Sequence, residues 1–211
     1  MSVQSVIEEI EEADVAVAQE AAELRHHPVI KATGYVSELA DQPPMFTLGT
    51  VVLAAGLVAG RPRLAEAGAR LLASVGVATA IKAAIKASVV RTRPNVLAEQ
   101  GRYETGLWGP NEGPWNSFPS GHTANAVAAA RAVARAYPEL HGIGHATAAF
   151  MGLIQVPRGA HHPLDVAAGA VVGYASEALV DRLWPRAAPM LDAAMGAAGE
   201  VRRAAGAAPR P

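Results

Sequence analysis

Residues 44–60 read PMFTLGTVVLAAGLVAG. These 17 residues carry no charge, which is the lower limit for a helix that spans a bilayer, and Arg61 and Arg63 close the run. The next stretch, residues 64–90, is apolar and alanine-rich but holds Glu66, Arg70, Lys82 and Lys86. It spans only if those charges face protein or an interface. Helical pattern resumes at Ser120 and runs to about Ala136, again from about Gly142 to Val156, and from Pro163 to about Trp184. Five apolar helices of this kind predict an all-α membrane bundle. Its low aromatic content, 5%, and abundant alanine and glycine favour close helix contacts. The mean hydropathy of +0.17 is low for an integral protein and keeps a soluble all-α domain as the alternative.

Upstream, Val3, Ile7, Ile10 and Val15 recur near helical spacing while Glu8, Glu9, Glu11 and Glu12 crowd one turn. Residues 1–30 therefore read as an acidic amphipathic helix at a surface or interface, with no basic leader and cleavage site of a secretory signal. Residues 31–184 form the bundle, and residues 185–211, rich in Ala, Pro, Gly and Arg, are expected to be disordered. A net charge of -1 offers no basic face for nucleic acid, and the absence of cysteine removes disulfides and thiolate metal sites. Oligomeric state is not legible here.

Between Arg91 and Pro119 the pattern breaks at Arg93-Pro94, Gly106, Gly109-Pro110 and Gly113-Pro114. A loop of this length points to a binding site or lid. Three segments border it: KASVVRTRP (86–94), PSGH (119–122) and RGAHHPLD (158–165). Lys86 and Arg93 stand where a helix runs out, so both can converge on one anion, although each alone could be a snorkelling or solvated cation. Ser120 suits an N-cap and Gly121 lets a ligand approach free helix-start N–H groups, which attract phosphate. An ordinary capped start explains Ser120 and Gly121 but not His122 beside them. His161 and Asp165 are four apart, close enough for the carboxylate to hold one ring N–H and present the other nitrogen as a nucleophile. Helix-start electrostatics alone could also account for Asp165, and His162 reads as a packing residue.

Taken together, Lys86, Arg93, Pro94, Pro119, Ser120, Gly121, His122, His161 and Asp165 would coincide by chance on the order of 10^-12, before allowing for spacing freedom. Their order and spacing resemble the three-part signature of the type 2 phosphatidic acid phosphatase family, over about residues 44–184. The resemblance implies a helical bundle whose site gathers at one end. Lys86, Arg93 and the Ser120 and Gly121 amides would bind phosphate, His122 would protonate the leaving group, His161 would attack phosphorus and Asp165 would orient it. It implies no metal and no cofactor.

One position departs from the family pattern. Its third motif has a Ser-Arg pair where this chain has Ile154 and Gln155. Arg158, three residues past Gln155, is the candidate replacement for the missing phosphate ligand. The expected function is hydrolysis of a lipid phosphomonoester or diphosphate through a phosphohistidine. The alternatives are a soluble acid phosphatase acting on small esters and a phospholipid-binding pseudo-enzyme. Arg61, Arg63, Arg131, Arg135, Arg182, Arg186, Arg202 and Arg203 fall at the end away from the loops. The positive-inside rule then predicts an inner-membrane protein of bacterial type with its site facing outward.

Overall fold

Alternating apolar runs and proline or glycine punctuation set the helix boundaries. The computed structural model describes residues 2–109 and 112–207, so Met1, Pro110, Asn111 and residues 208–211 lie outside the described residues. Ser2 caps α1 (Val3–Ala22), and α2 (Pro28–Ser37) follows a single 3-10 turn. Helix α3 (Gln42–Ala59) ends at Gly60, whose φ of 64° is the left-handed conformation that stops a helix without a Cβ clash. Pro62 then occupies the first turn of α4 (Pro62–Lys86), where its missing N–H costs nothing. After the loop region come α6 (Gly121–Ala136), α7 (His141–Leu153) and α8 (Pro163–Ala207).

The irregular region between α4 and α6 is better organised than its glycines and prolines predict. It holds β1 (Val89–Arg91) paired antiparallel with β2 (Thr105–Leu107), and the short α5 (Pro94–Gln100) between them. The chain is otherwise a helical membrane bundle. Helix α4 packs against α3, α6 and α8, and α6 is also covered by α7 and α8. Leu71, Val75, Ala78, Ala124, Ala128, Ala129, Ala132 and Val172 form the core between α4, α6 and α8. Small residues allow this approach: a Cβ on Gly169 would lie 2.5 Å from the Ser120 carbonyl oxygen, and one on Gly173 2.4 Å from that of Ala124.

Among the described residues, three helices, α3, α4 and α8, are long and apolar enough to cross a membrane. Helices α6 and α7, at 16 and 13 residues, are shorter. Two charges of α4, Glu66 and Arg70, are paired within the protein as a spanning helix requires. Arg70 donates to Glu66 at 2.7 Å and Asp181 at 2.9 Å. Glu177, buried on α8, accepts from Arg131 at 2.8 Å and Arg135 at 2.7 Å.

Two sequence expectations need correction. Composition predicts disorder from residue 185, yet α8 continues through Pro185 and Pro189 to Ala207. Ala, Leu, Met, Glu and Arg are strong helix formers, and the Arg202 guanidinium binds the Leu57 carbonyl at the end of α3. The acidic α1 is also more than a surface helix: Asp14, Ala18 and Ala22 are buried, and it packs on α5 and the start of α8.

Candidate active site

The loop-side ends of α4, α6 and α8 meet, and the three sequence motifs meet with them. Lys86, in the last turn of α4, donates from Nζ to the Asn116 carbonyl. Arg93 donates from Nη2 to the Asn116 side-chain oxygen at 3.2 Å, from Nε to Gly113 O at 2.6 Å and from Nη1 to Ala160 O at 3.0 Å. Both cations thus hold one residue, Asn116. Burial pushes the Arg93 guanidinium below its ordinary value, against the pull of Asp165.

His161 is buried just before α8. Burial lowers its imidazole to about 3, opposed by Asp165 and reinforced by the positive field of Arg93 and Lys86, so the ring is neutral. Its Nδ1 lies 3.6 Å from Asp165 Oδ2, just beyond hydrogen-bond length, and no other acceptor reaches it among the described residues. Asp165 is fully buried and held on every side. Oδ2 accepts from Ser117 Oγ at 2.5 Å and the His162 N–H at 2.8 Å, and Oδ1 accepts from Arg91 Nη1 at 2.7 Å. A carboxylate so constrained presents a fixed acceptor edge to His161.

At the start of α6 the Ser120 hydroxyl accepts from the Thr123 N–H at 3.4 Å, the expected cap. Its own amide is another matter. The Ser120 N–H donates to the Asp165 carbonyl at 2.9 Å, because α8 presses on α6 through Gly169. Ser120 is therefore a tie between the helices, and this corrects the expectation that its N–H is free for phosphate. The Gly121 and His122 amides open the helix without intrahelical acceptors. The Lys82 ammonium lies against Gly121, where a Cβ would come within 3.2 Å of its nitrogen.

His122 sits 3.5 Å from Glu38 Oε2, and Glu38 Oε1 accepts from Arg158 Nη2 at 2.5 Å. Burial opposes ionisation of Glu38, but the Arg158 hydrogen bond and charge outweigh it and hold the carboxyl below its ordinary range. Arg158 also donates to Ser37 Oγ at 2.9 Å and to Gln155 Oε1 at 3.3 Å. It belongs to the cluster around His122 but is tied to the turn after α2. His162 is fully buried, with Nε2 2.9 Å from Thr92 O, consistent with a packing residue.

Sequence reading missed Asn116, Ser117, Glu38 and Asp14. Only Asp14 carried a usable signal: it shares a helical face with Ala18 and Ala22, an odd place for a carboxylate unless it is buried against a cation.

Fold and site together define a helical membrane bundle with a cationic, histidine-bearing cluster at one end. The chain matches the family model described as PAP2 superfamily over residues 67–188, more than half its length, and belongs to that superfamily. Among solved structures it is similar to LpxE of Aquifex aeolicus, with 22% identity and a TM-score of 0.61, covering 79% of this chain and 93% of that one. It is also similar to a transmembrane PAP2-type phosphatidylglycerolphosphate phosphatase from Bacillus subtilis, with 20% identity and a TM-score of 0.60, covering 84% and 87% of the two chains. At these identities the likeness is one of fold. No curated protein matches the chain.

Proposed function

We propose that this chain is a phosphatase that hydrolyses a lipid phosphomonoester or diphosphate through a phosphohistidine on His161, without a metal. One observation carries the reading: a buried, neutral His161 lies 3.6 Å from the fixed Asp165 carboxylate and within the field of the Lys86 and Arg93 cations. Lys86, Arg93 and the Gly121 amide would hold the phosphoryl oxygens, with Arg158 as the added cation. As the phosphoryl group moves, charge spreads over its three equatorial oxygens, so preorganised cations and amides supply most of the catalysis.

In the first step Nε2 of His161 bonds to phosphorus while the bond to the leaving oxygen breaks. Protonated His122 gives that oxygen its proton, and Asp165 steadies the Nδ1–H. In the second step water attacks the phosphohistidine, neutral His122 takes the water's proton, and phosphate leaves with the histidine restored.

A lipid substrate is supported by an apolar groove of about 230 Å³ between α3, α6 and α7, lined by Met45, Leu48, Ala126, Ala130, Val133 and Ile143. Ala126 lies one helical turn below His122, so a hydrocarbon tail in the groove would leave its head at the leaving-group side. A solved relative of the same fold is described as a phosphatidylglycerolphosphate phosphatase, which supports the same substrate class. The arginines at the opposite end support an outward-facing site in an inner membrane of bacterial type.

The test is phosphate release from a panel of lipid phosphates in detergent, with and without chelator, together with trapping of a radiolabelled, alkali-stable protein phosphate. Release that survives chelator, with label on His161, is expected. Turnover of small soluble esters alone would favour an acid phosphatase. Binding without release would favour a pseudo-enzyme crippled by Gln155.

A further inference from the structure

The family match begins at residue 67, so α1 lies outside it, yet α1 sends a buried carboxylate to the back of the candidate site. Asp14 Oδ2 accepts from Arg91 Nη2 at 2.6 Å, and Arg91 Nη1 donates to Asp165 Oδ1 at 2.7 Å. The other Asp14 oxygen, Oδ1, accepts the Leu164 N–H at 2.9 Å, one of the unpaired donors at the start of α8. Glu11 Oε2 lies 3.1 Å from Arg91 Nη2, and Tyr103 Oη lies 3.2 Å from Arg91 Nε. Arg91 and Asp14 are 3% and 7% exposed, so water does little to screen this chain of contacts.

We propose that Asp14 is a positioning residue for the catalytic dyad: it shares the Arg91 guanidinium with Asp165 and caps the turn of α8 that carries Asp165, which keeps the Asp165 carboxylate at His161. This rests on the reading of His161 as nucleophile. Arg91 divides its donors between Asp165 on one side and Asp14 and Glu11 on the other, and Asp14, at 2.6 Å against 3.1 Å for Glu11, supplies the nearer counter-charge. Without that charge the guanidinium is drawn onto Asp165, and the carboxylate follows it away from His161 Nδ1. The acidic α1 is then a working part of the enzyme, supplied by the chain segment that the family model does not include.

Asp14→Asn separates the two contacts, because the amide oxygen still accepts the Leu164 N–H while the charge facing Arg91 is gone. Glu11→Gln combined with Asp14→Asn removes the neighbour able to compensate. With full-length protein in detergent, turnover is measured on dioleoyl phosphatidic acid and on para-nitrophenyl phosphate, normalised to folded protein from size exclusion and melting. The expected result is a fall in kcat of at least about 10-fold on both substrates with KM within about twofold, greater in the double variant and partly recovered in Asp14→Glu. A second readout needs no turnover: 15N shifts of His161 report its tautomer, and Asp14→Asn should lose the parent's preference for Nδ1–H. Unchanged kcat and tautomer in the double variant, with His161→Ala inactive, would overturn the role of Asp14 and leave the nucleophile standing. Turnover by His161→Ala would overturn both.

Discussion

The Gln155 side-chain oxygen accepts a hydrogen bond from the Arg158 guanidinium at 3.3 Å. Where the family has an arginine, this chain has a fully buried amide that holds another arginine three residues on. If Arg158 does the missing residue's work, Arg158→Ala should cost roughly 2 to 4 kcal/mol of transition-state stabilisation, or about 30-fold to 1000-fold in rate. Gln155→Arg should give no gain in the parent, since two guanidinium groups would crowd one pocket beside Glu38, but should partly rescue Arg158→Ala. Steady-state kinetics of the three variants checks this. A large gain from Gln155→Arg with no loss from Arg158→Ala would make Arg158 a bystander.

The adjacent histidines should separate cleanly. His161→Ala is expected to abolish turnover, because no other nucleophile faces the cations in the proposed mechanism. His162→Ala removes a fully buried ring bonded to Thr92 and set edge-on to Tyr103. It should therefore cost about 3 kcal/mol of stability, the scale of a large-to-small core substitution, while the folded fraction keeps most of its kcat. Thermal melting beside activity at low temperature distinguishes the two effects. Equal losses of kcat would refute the assignment of the nucleophile.

His122→Ala should slow substrates in proportion to how badly their leaving group needs a proton. An alkyl phosphate should lose about 10^2-fold to 10^4-fold, the usual contribution of general acid catalysis, and an activated aryl phosphate much less. Rates across a leaving-group series give the answer. A uniform loss would mean that His122 binds phosphate instead.

Both His161 and His162 sit below the ordinary histidine value of 6.5 because burial disfavours their charged forms. In the unfolded chain they take up protons near pH 6.5, whereas the folded protein resists until lower pH, near 3 for His161. Stability is thus greatest above pH 6.5 and declines as the pH falls below it. One pKa unit corresponds to about 1.4 kcal/mol, so His161 should cost about 2 kcal/mol on going from pH 6.5 to 5, and His162 adds a loss of the same sign. Melting in detergent should be lower at pH 5 than at pH 7.5, and His161→Asn should flatten the difference. A pH-independent midpoint in the parent would contradict this.

Much of the molecule was legible from local rules. The apolar run at 44–60, the charges of α4, Ser120 as a cap and Pro163 at a helix start each follow from the chemistry of a few neighbouring residues. Lys86, Arg93, His122, His161 and Asp165 could be picked out because they stand at helix ends where a loop interrupts the apolar pattern. The tail was misread because composition was weighed without the helix propensity of its Ala, Leu and Glu, and without the anchor between Arg202 and the end of α3.

Other features exist only because distant segments meet. Nothing around Ser120 says that its amide is taken by the Asp165 carbonyl; that depends on Gly169 letting α8 touch α6. Nothing around Arg158 says that Glu38 will bind it, or around Asp14 that Arg91 will, because hydrogen bonds depend on position within a few tenths of an ångström. The sequence by itself determined which groups were available and which helices carried them. Tertiary packing decided how they were shared, since a donor already satisfied by another helix cannot also be offered to phosphate.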